Sequence, residues 1–317
     1  MQTSEIKPRV GISSCLMGEA VRFNGGHQRD NFVMDVLAKH VDLVPICPEV
    51  EAGMGVPRPA IRMVRQDGAM GLVESGTGVD HAASMHTTLD SITERLKGFD
   101  LDGFLLKRGS PTCGISGVKV YATSERKSQV VARGAGFFAE RLGAEFETLA
   151  LSEEGWLKDA MLRQQFLHRI FTARRLKMLR DDPSLKDLQR QYASHKLLYM
   201  AHHPGAQRDL GRRVAKLSGA LSQDQLNRHM DEAQQVLGHR LSRGRHVNVL
   251  HHILGYVSKR LSKPCRDHTL ESIEAYNRGQ TSLLAPLALL KHQVLDKGAH
   301  PWLTQQVYFD PYPSALW

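Results

Sequence analysis

Three of the four cysteines stand where a hydrophobic run breaks into a polar or glycine-rich turn. Cys15 follows the run at 10–14, Cys47 the run at 41–46, and Cys113 the stretch that begins at Gly103. In an open α/β sheet, loops at the carboxyl ends of parallel strands share one crevice, where ligands bind. Soft thiolates there favour an iron–sulfur cluster, zinc or copper(I). Three ligands also leave one coordination position open, which suits a metal that does chemistry. A single free cysteine is commonly just a small buried hydrophobe, but three at strand ends point to a shared site. Disulfides are a poor alternative, because no secretory segment precedes the thiols and cytosolic thiols stay reduced. Cys265, in Lys263-Pro264-Cys265-Arg266, reads as structural or incidental.

The loops around the thiols read CLMGEAVRFNGG at 15–26, CPEVEAGMGVPR at 47–58 and KRGSPTCG at 107–114. Their glycines let backbone come close to a bulky ligand, and turn amides can bond to cluster sulfides. Arg22, Arg58, Lys107 and Arg108 have the charge to offset thiolates, though each alone reads equally as a solvated surface charge.

The first 150 residues alternate strands and helices, which predicts an open, mostly parallel, Rossmann-like α/β sheet covered on both faces. Strands are expected near 9–14, 41–46, 103–107 and 118–122. Extended pieces at 60–65 and 70–74 flank an Asp67-Gly68 turn. Helices are expected over 31–40, capped by Asp30, over 79–97 and over 135–142. Ser152-Glu153-Glu154 looks like a helix start, and beyond it Leu162, Phe166 and Ile170 recur at helical spacing. Further helices are expected over 184–202, 222–240, 244–262 and 285–297, divided at Asp182-Pro183, Pro204-Gly205 and Lys263-Pro264. The expected organisation is an α/β domain over 1–150 and an all-α domain over 151–317. The aromatic tail, with Tyr308, Phe309, Tyr312 and Trp317, is expected to be ordered.

Charge divides the same way. Residues 151–317 carry 25 lysines and arginines against 15 aspartates and glutamates, while the rest of the chain is nearly neutral. A basic domain raises the expectation of a polyanion partner, although no dense basic run is present. No apolar stretch approaches a membrane span, so a cytoplasmic protein without a membrane partner is expected. His202-His203 and His251-His252 do not chelate easily, because adjacent helix residues point apart; they are expected as surface or partly buried side chains. There is no Walker loop, GxGxxG, HExxH or CxxC motif.

Taken together and in order, the three cysteine loops resemble the 2-thiouracil desulfidase family over roughly residues 7–150. The remainder resembles the YbgA-like helical domain, through Tyr192-Ala193-Ser194-His195-Lys196 and the ending at 305–313. The resemblance implies a [4Fe-4S] cluster held by Cys15, Cys47 and Cys113, with one iron open to the sulfur of a thiolated pyrimidine. Water would then replace that sulfur without electron transfer. It implies Glu49 as the base and Ser110 as a second functional position, which binds substrate or positions water. Asn24 would read a pyrimidine edge, or simply serve the Asn24-Gly25 turn. Glu51 is given no role. The substrate stays open among 2-thiouracil, 4-thiouracil and a thiolated base in RNA or tRNA, and a second copy of the chain stays open as a partner.

Two other readings remain. One is a zinc hydrolase using the three cysteines with water or His27. The other is a redox sensor whose basic helical domain acts on nucleic acid. The helical domain itself is expected to cover the crevice, with Tyr308, Phe309 and Tyr312 sealing it and their hydroxyls at the rim.

Overall fold

The computed structural model describes residues 6–66, 68–298 and 300–317. These form two compact units, one of residues 6–166 with 315–317 and the other of 167–314.

The first unit holds two four-stranded sheets. Strands β1 (Arg9–Ser13), β2 (Asp42–Ile46), β5 (Gly103–Leu106) and β8 (Ala150–Glu153) form a parallel sheet in the order β2-β1-β5-β8. Val10 pairs with both Leu43 and Gly103, and Leu106 with Glu153. Gly11 is required in β1, because a Cβ there would lie 2.2 Å from the Phe104 ring of the neighbouring strand. The chain steps from β1 to β2 on one side and later to β5 on the other. The carboxyl ends of β1 and β5 therefore flank a topological switch point, where α/β sheets open a crevice.

The second sheet was only half visible in the sequence. Its order is β4-β3-β6-β7, from β3 (Ile61–Gln66), β4 (Ala69–Glu74), β6 (Val118–Tyr121) and β7 (Val130–Gly134). Strand β3 pairs antiparallel with β4 and parallel with β6, while β7 closes the edge antiparallel to β6. Of the expected turn, Gly68 has φ +82°, and Asp67 lies outside the described residues.

The helices of this unit are α1 (Pro48–Glu51), α2 (Ala82–Lys97) and α3 (Phe137–Glu145). In α2, Met85, Leu89, Ile92 and Leu96 form one buried stripe, the spacing of a helix with a single core face. Asp30 does cap the segment after it, accepting from Val33 N at 3.0 Å. That segment winds as a wide π turn over Phe32–Val36 and a tight turn over Leu37–Lys39, not as a regular α-helix.

Ser152 and Glu153 do not begin a helix. They end β8, buried, and the Glu153 carboxylate accepts from Ile115 N at 2.7 Å. An acidic pair suits a helix's first turn, but here the Ile115 amide uses one of the carboxylates. The sheet thus runs past residue 150, and the unit continues to Phe166.

Helix α4 (Ala160–Lys177) carries the chain into the second unit, which contains α5 (Leu185–His202), α6 (Pro204–Lys216), α7 (Gln223–Gly238), α8 (Arg243–Val257), α9 (Lys263–Asn277), α10 (Leu284–Asp296) and α11 (Pro301–Thr304). Ser184, Ser222, Ser242 and Ser262 cap α5, α7, α8 and α9 through their side chains. Pro204 and Pro264, expected as dividers, sit in the first turns of α6 and α9. A missing N–H costs nothing there, and the fixed φ suits a helix start. Among the described residues no helix is long and apolar enough to cross a membrane.

Candidate functional site

Each cysteine loop is fixed by local structure. After β1, Cys15 sits in a tight turn over Ser14–Met17 that Gly18 closes at φ 102°. Cys47 stands at the start of α1, one residue after β2, where the Val50 and Glu49 amides favour its thiolate. The third loop is anchored by α3, whose Phe137 and Phe138 amides donate to Pro111 O at 3.2 Å and Thr112 O at 2.8 Å. Gly136 allows that approach, because a Cβ would lie 2.6 Å from Thr112 O.

The loops meet at a cavity of about 340 Å³, and Cys15, Cys47 and Cys113 all line it. Glu49, Ser110, Arg22, Arg58, Lys107 and Arg108 share its walls. Burial pushes the Cys15 thiol up to about 11, helped by neighbouring Cys47, while Lys107 and Arg22 pull the other way. Burial, then Glu49, pushes Cys113 up to about 12, and burial also raises Cys47. The site therefore makes thiolates costly until a cation arrives to hold them, as metal ligation does. Among the described residues, no three His, Cys, Asp or Glu side chains gather tightly enough for a single ion.

Glu49 is held at both carboxylate oxygens. Arg58 donates to its Oε2 through Nε at 3.2 Å and through Nη2. The same guanidinium reaches Gly55 O at 2.8 Å and Val21 O at 2.9 Å, so it ties the first loop to the second. On the other carboxylate oxygen, Thr112 Oγ1 donates to Oε1 at 2.6 Å. Ser110 Oγ lies 2.8 Å from Thr112 Oγ1 and accepts from Thr112 N and Cys113 N at 3.2 and 3.1 Å. Arg58, read from the sequence only as a charge, is a structural clamp. Thr112 was not singled out, although a hydroxyl two residues after Ser110 in SPTC was the available signal.

Other expected residues lie apart. Asn24 Oδ1 accepts from Gly26 N at 3.2 Å, so it serves its turn, and neither it nor His27 lines the cavity. Glu51 pairs with Arg95 at 2.7 Å. Lys107 pairs with Glu154, whose other oxygen takes the Arg108 amide at 2.8 Å. Cys265 is exposed in the helical unit.

The helical unit corrects the expectation for one histidine pair. His202 has no exposed surface; its Nε2 lies 3.0 Å from His168 Nδ1 and its Nδ1 3.0 Å from His239 O. His203 instead caps α6, and His251 and His252 are exposed. The Tyr308 hydroxyl, expected at a rim, is buried 2.7 Å from His246 Nδ1. Phe309 and Tyr312 are likewise buried within this unit.

Comparison with known proteins divides the chain in the same order. Residues 10–154 match the family model described as 2-thiouracil desulfurase, and residues 196–313 match DUF1722, a protein of unknown function. The protein YbgA of Escherichia coli (strain K12) is 30% identical over 154 residues, which is 47% of this chain and 89% of YbgA. A solved structure titled [4Fe-4S]-dependent thiouracil desulfidase TudS is 26% identical and aligns with a TM-score of 0.39, covering 50% of this chain and 98% of its own. With 89% of YbgA matched at 30% identity, the chain belongs to the YbgA family, and it carries in addition a region, residues 10–154, that matches the 2-thiouracil desulfurase model.

Proposed function

We propose that the protein hydrolyses the carbon–sulfur bond of a thiolated pyrimidine, releasing sulfide, at a [4Fe-4S] cluster held by Cys15, Cys47 and Cys113. The observation that carries this reading is one cavity lined by all three thiols together with Glu49 and Ser110. The donor set fits: three soft thiols, with Lys107 and Arg22 near enough to Cys15 to favour its thiolate, and space for a bulky group between the loops. Ligands that share a wall without forming a single-ion cage suit a cluster several ångströms across better than one zinc ion. When bound, the cluster supplies a soft Lewis acid that makes a thiocarbonyl sulfur a better leaving group.

The chain supplies the rest. Water is a poor nucleophile without a base, and Glu49 is the carboxylate at the wall. Arg58 holds its Oε2 and Thr112 its Oε1, so the base is oriented before substrate arrives, which lowers the reorganisation needed in the reaction. Ser110, whose oxygen is fixed by two backbone amides, presents a hydroxyl to the same space. A redox sensor needs neither residue. The test is anaerobic incubation of iron-loaded protein with 2-thiouracil and with 4-thiouracil. Uracil and sulfide appearing in equal amounts is the expected result; no sulfide release from fully loaded protein, with these bases or with thiolated tRNA, rejects the reading.

One observation favours a second reading of the substrate, a thiolated base within RNA. The helical unit has an open basin of about 1040 Å³ lined by Lys196, Arg208, Arg212, Arg245 and His252, with no carboxylate in its wall. Such a basin suits a phosphodiester chain. Salt-sensitive tRNA binding that weakens in a Lys196→Ala, Arg208→Ala, Arg212→Ala variant supports it; binding unchanged by these substitutions opposes it.

A further inference from the structure

We propose that Thr112 is a positioning residue that links Glu49 to Ser110 in a proton relay. This rests on the base role proposed for Glu49. Thr112 has no exposed surface and is absent from the cavity wall, whereas Glu49 and Ser110 both line it. Its hydroxyl nevertheless contacts both, at 2.6 and 2.8 Å. Ser110 and Glu49 are themselves 3.4 Å apart, so Thr112 is the shorter route between them.

The direction of each bond follows from counting protons. An ionised carboxylate only accepts, and a hydroxyl has one proton to give. Thr112 donates to Glu49 Oε1 at 2.6 Å, much the nearer of its two acceptors, since Cys113 Sγ lies at 3.6 Å, and it accepts from Ser110, which turns the Ser110 proton away from the cavity. Once Glu49 holds a proton, the chain can reverse. Glu49 then donates to Thr112 and Thr112 to Ser110, and the Ser110 proton is released toward the substrate. In that reversed state one of the two amide bonds to Ser110 Oγ, at 3.2 and 3.1 Å, gives way to the Thr112 hydroxyl, because a hydroxyl accepts with two lone pairs.

Applied to the reaction, water adds its oxygen to the thiocarbonyl carbon and gives one proton to Glu49 Oε1. That proton is passed on by exchange through Thr112 and Ser110 to the sulfur. The carbon–sulfur bond breaks with its electron pair on sulfur, which leaves as hydrosulfide. Glu49, ionised again, takes the second proton of the former water as the carbonyl forms and returns it to solvent. No atom is oxidised or reduced, and one carboxylate serves both proton transfers.

The test compares Thr112→Val, Thr112→Ala and Thr112→Ser in iron-loaded protein. Iron content and the equilibrium affinity for 2-thiouracil, read from the visible spectrum, are measured beside the single-turnover rate. Val and Ala differ in size and share only the lack of a hydroxyl. Both should slow the chemical step by about 10- to 100-fold, the loss expected for a hydrogen bond to a charged group, with affinity and iron unchanged. Thr112→Ser should restore most of the rate. In a Ser110→Ala background Thr112→Val should cost clearly less than it does alone, because the relay is already cut and only the bond to Glu49 is left to lose. A rate that follows side-chain size, or a Thr112→Val enzyme at the normal rate beside a slow Glu49→Gln enzyme, overturns the relay and leaves the base intact. A normal rate in Glu49→Gln overturns the base itself.

Discussion

Both units bury ionisable side chains, and they do so in opposite ways. In the α/β unit, three thiols, a carboxylate and several cations face one cavity, held by partners that restrict each group without closing the space. In the helical unit, His168, His195, His202, His229 and His246 are sealed in the core. Burial pushes His195 and His202 down to about 3, His229 and His246 to about 4, and His168 well below its ordinary value. The His202 Nδ1–H reaches the His239 carbonyl, which leaves Nε2 to accept from His168, a pairing that needs the His202 ring neutral. Burial alone therefore does not mark a reactive site. Ionisable groups around accessible space with charged partners do, while rings held neutral by burial build a core.

The sharpest way to break this contrast is to remove a thiol from each unit. Cys15→Ala, Cys47→Ala and Cys113→Ala should each abolish the iron chromophore, and Cys265→Ala should leave it unchanged; iron analysis on the four variants decides. Retained iron in Cys113→Ala would show that the cavity is not the ligand set.

Next in size is the base. Glu49→Gln should keep iron and substrate affinity while turnover falls by about 100-fold or more, the usual range for losing a general base. The amide keeps the shape of the side chain but cannot take a proton.

The histidines sharpen the other side. Between about pH 4 and 6.5 the unfolded chain protonates these rings and the folded unit does not. Stability should therefore fall as pH drops through that window, by about 1.4 kcal/mol per pH unit for each histidine involved. Thermal unfolding followed from pH 7 to 4 checks this, and a flat profile would mean the rings are not held neutral.

Ser110→Ala should cost least, roughly tenfold in turnover or ~1.4 kcal/mol, as for one lost hydrogen bond. An unchanged rate would remove Ser110 from the chemistry.

Much of this was legible in the sequence, for stated reasons. The parallel sheet and the three thiol loops follow from strand–helix alternation and from where each apolar run breaks. Residues that act through distant partners were harder to see. Arg58 reads as a charge until its reach to Val21 is known, and Thr112 reads as filler between Pro111 and Cys113. Strand β7 escaped because Val130 and Val131 are exposed on an edge and lack a buried alternation. The helices α6 and α9 were hidden by prolines that open helices as readily as they interrupt them. His202 was misjudged because a paired, neutral histidine in a core has no sequence signature.

The cluster itself is the most direct test. Protein purified without oxygen should contain iron and acid-labile sulfide in equal amounts, with visible absorbance that is lost together with both in Cys47→Ala. Zinc in place of iron, or iron without acid-labile sulfide, would contradict it.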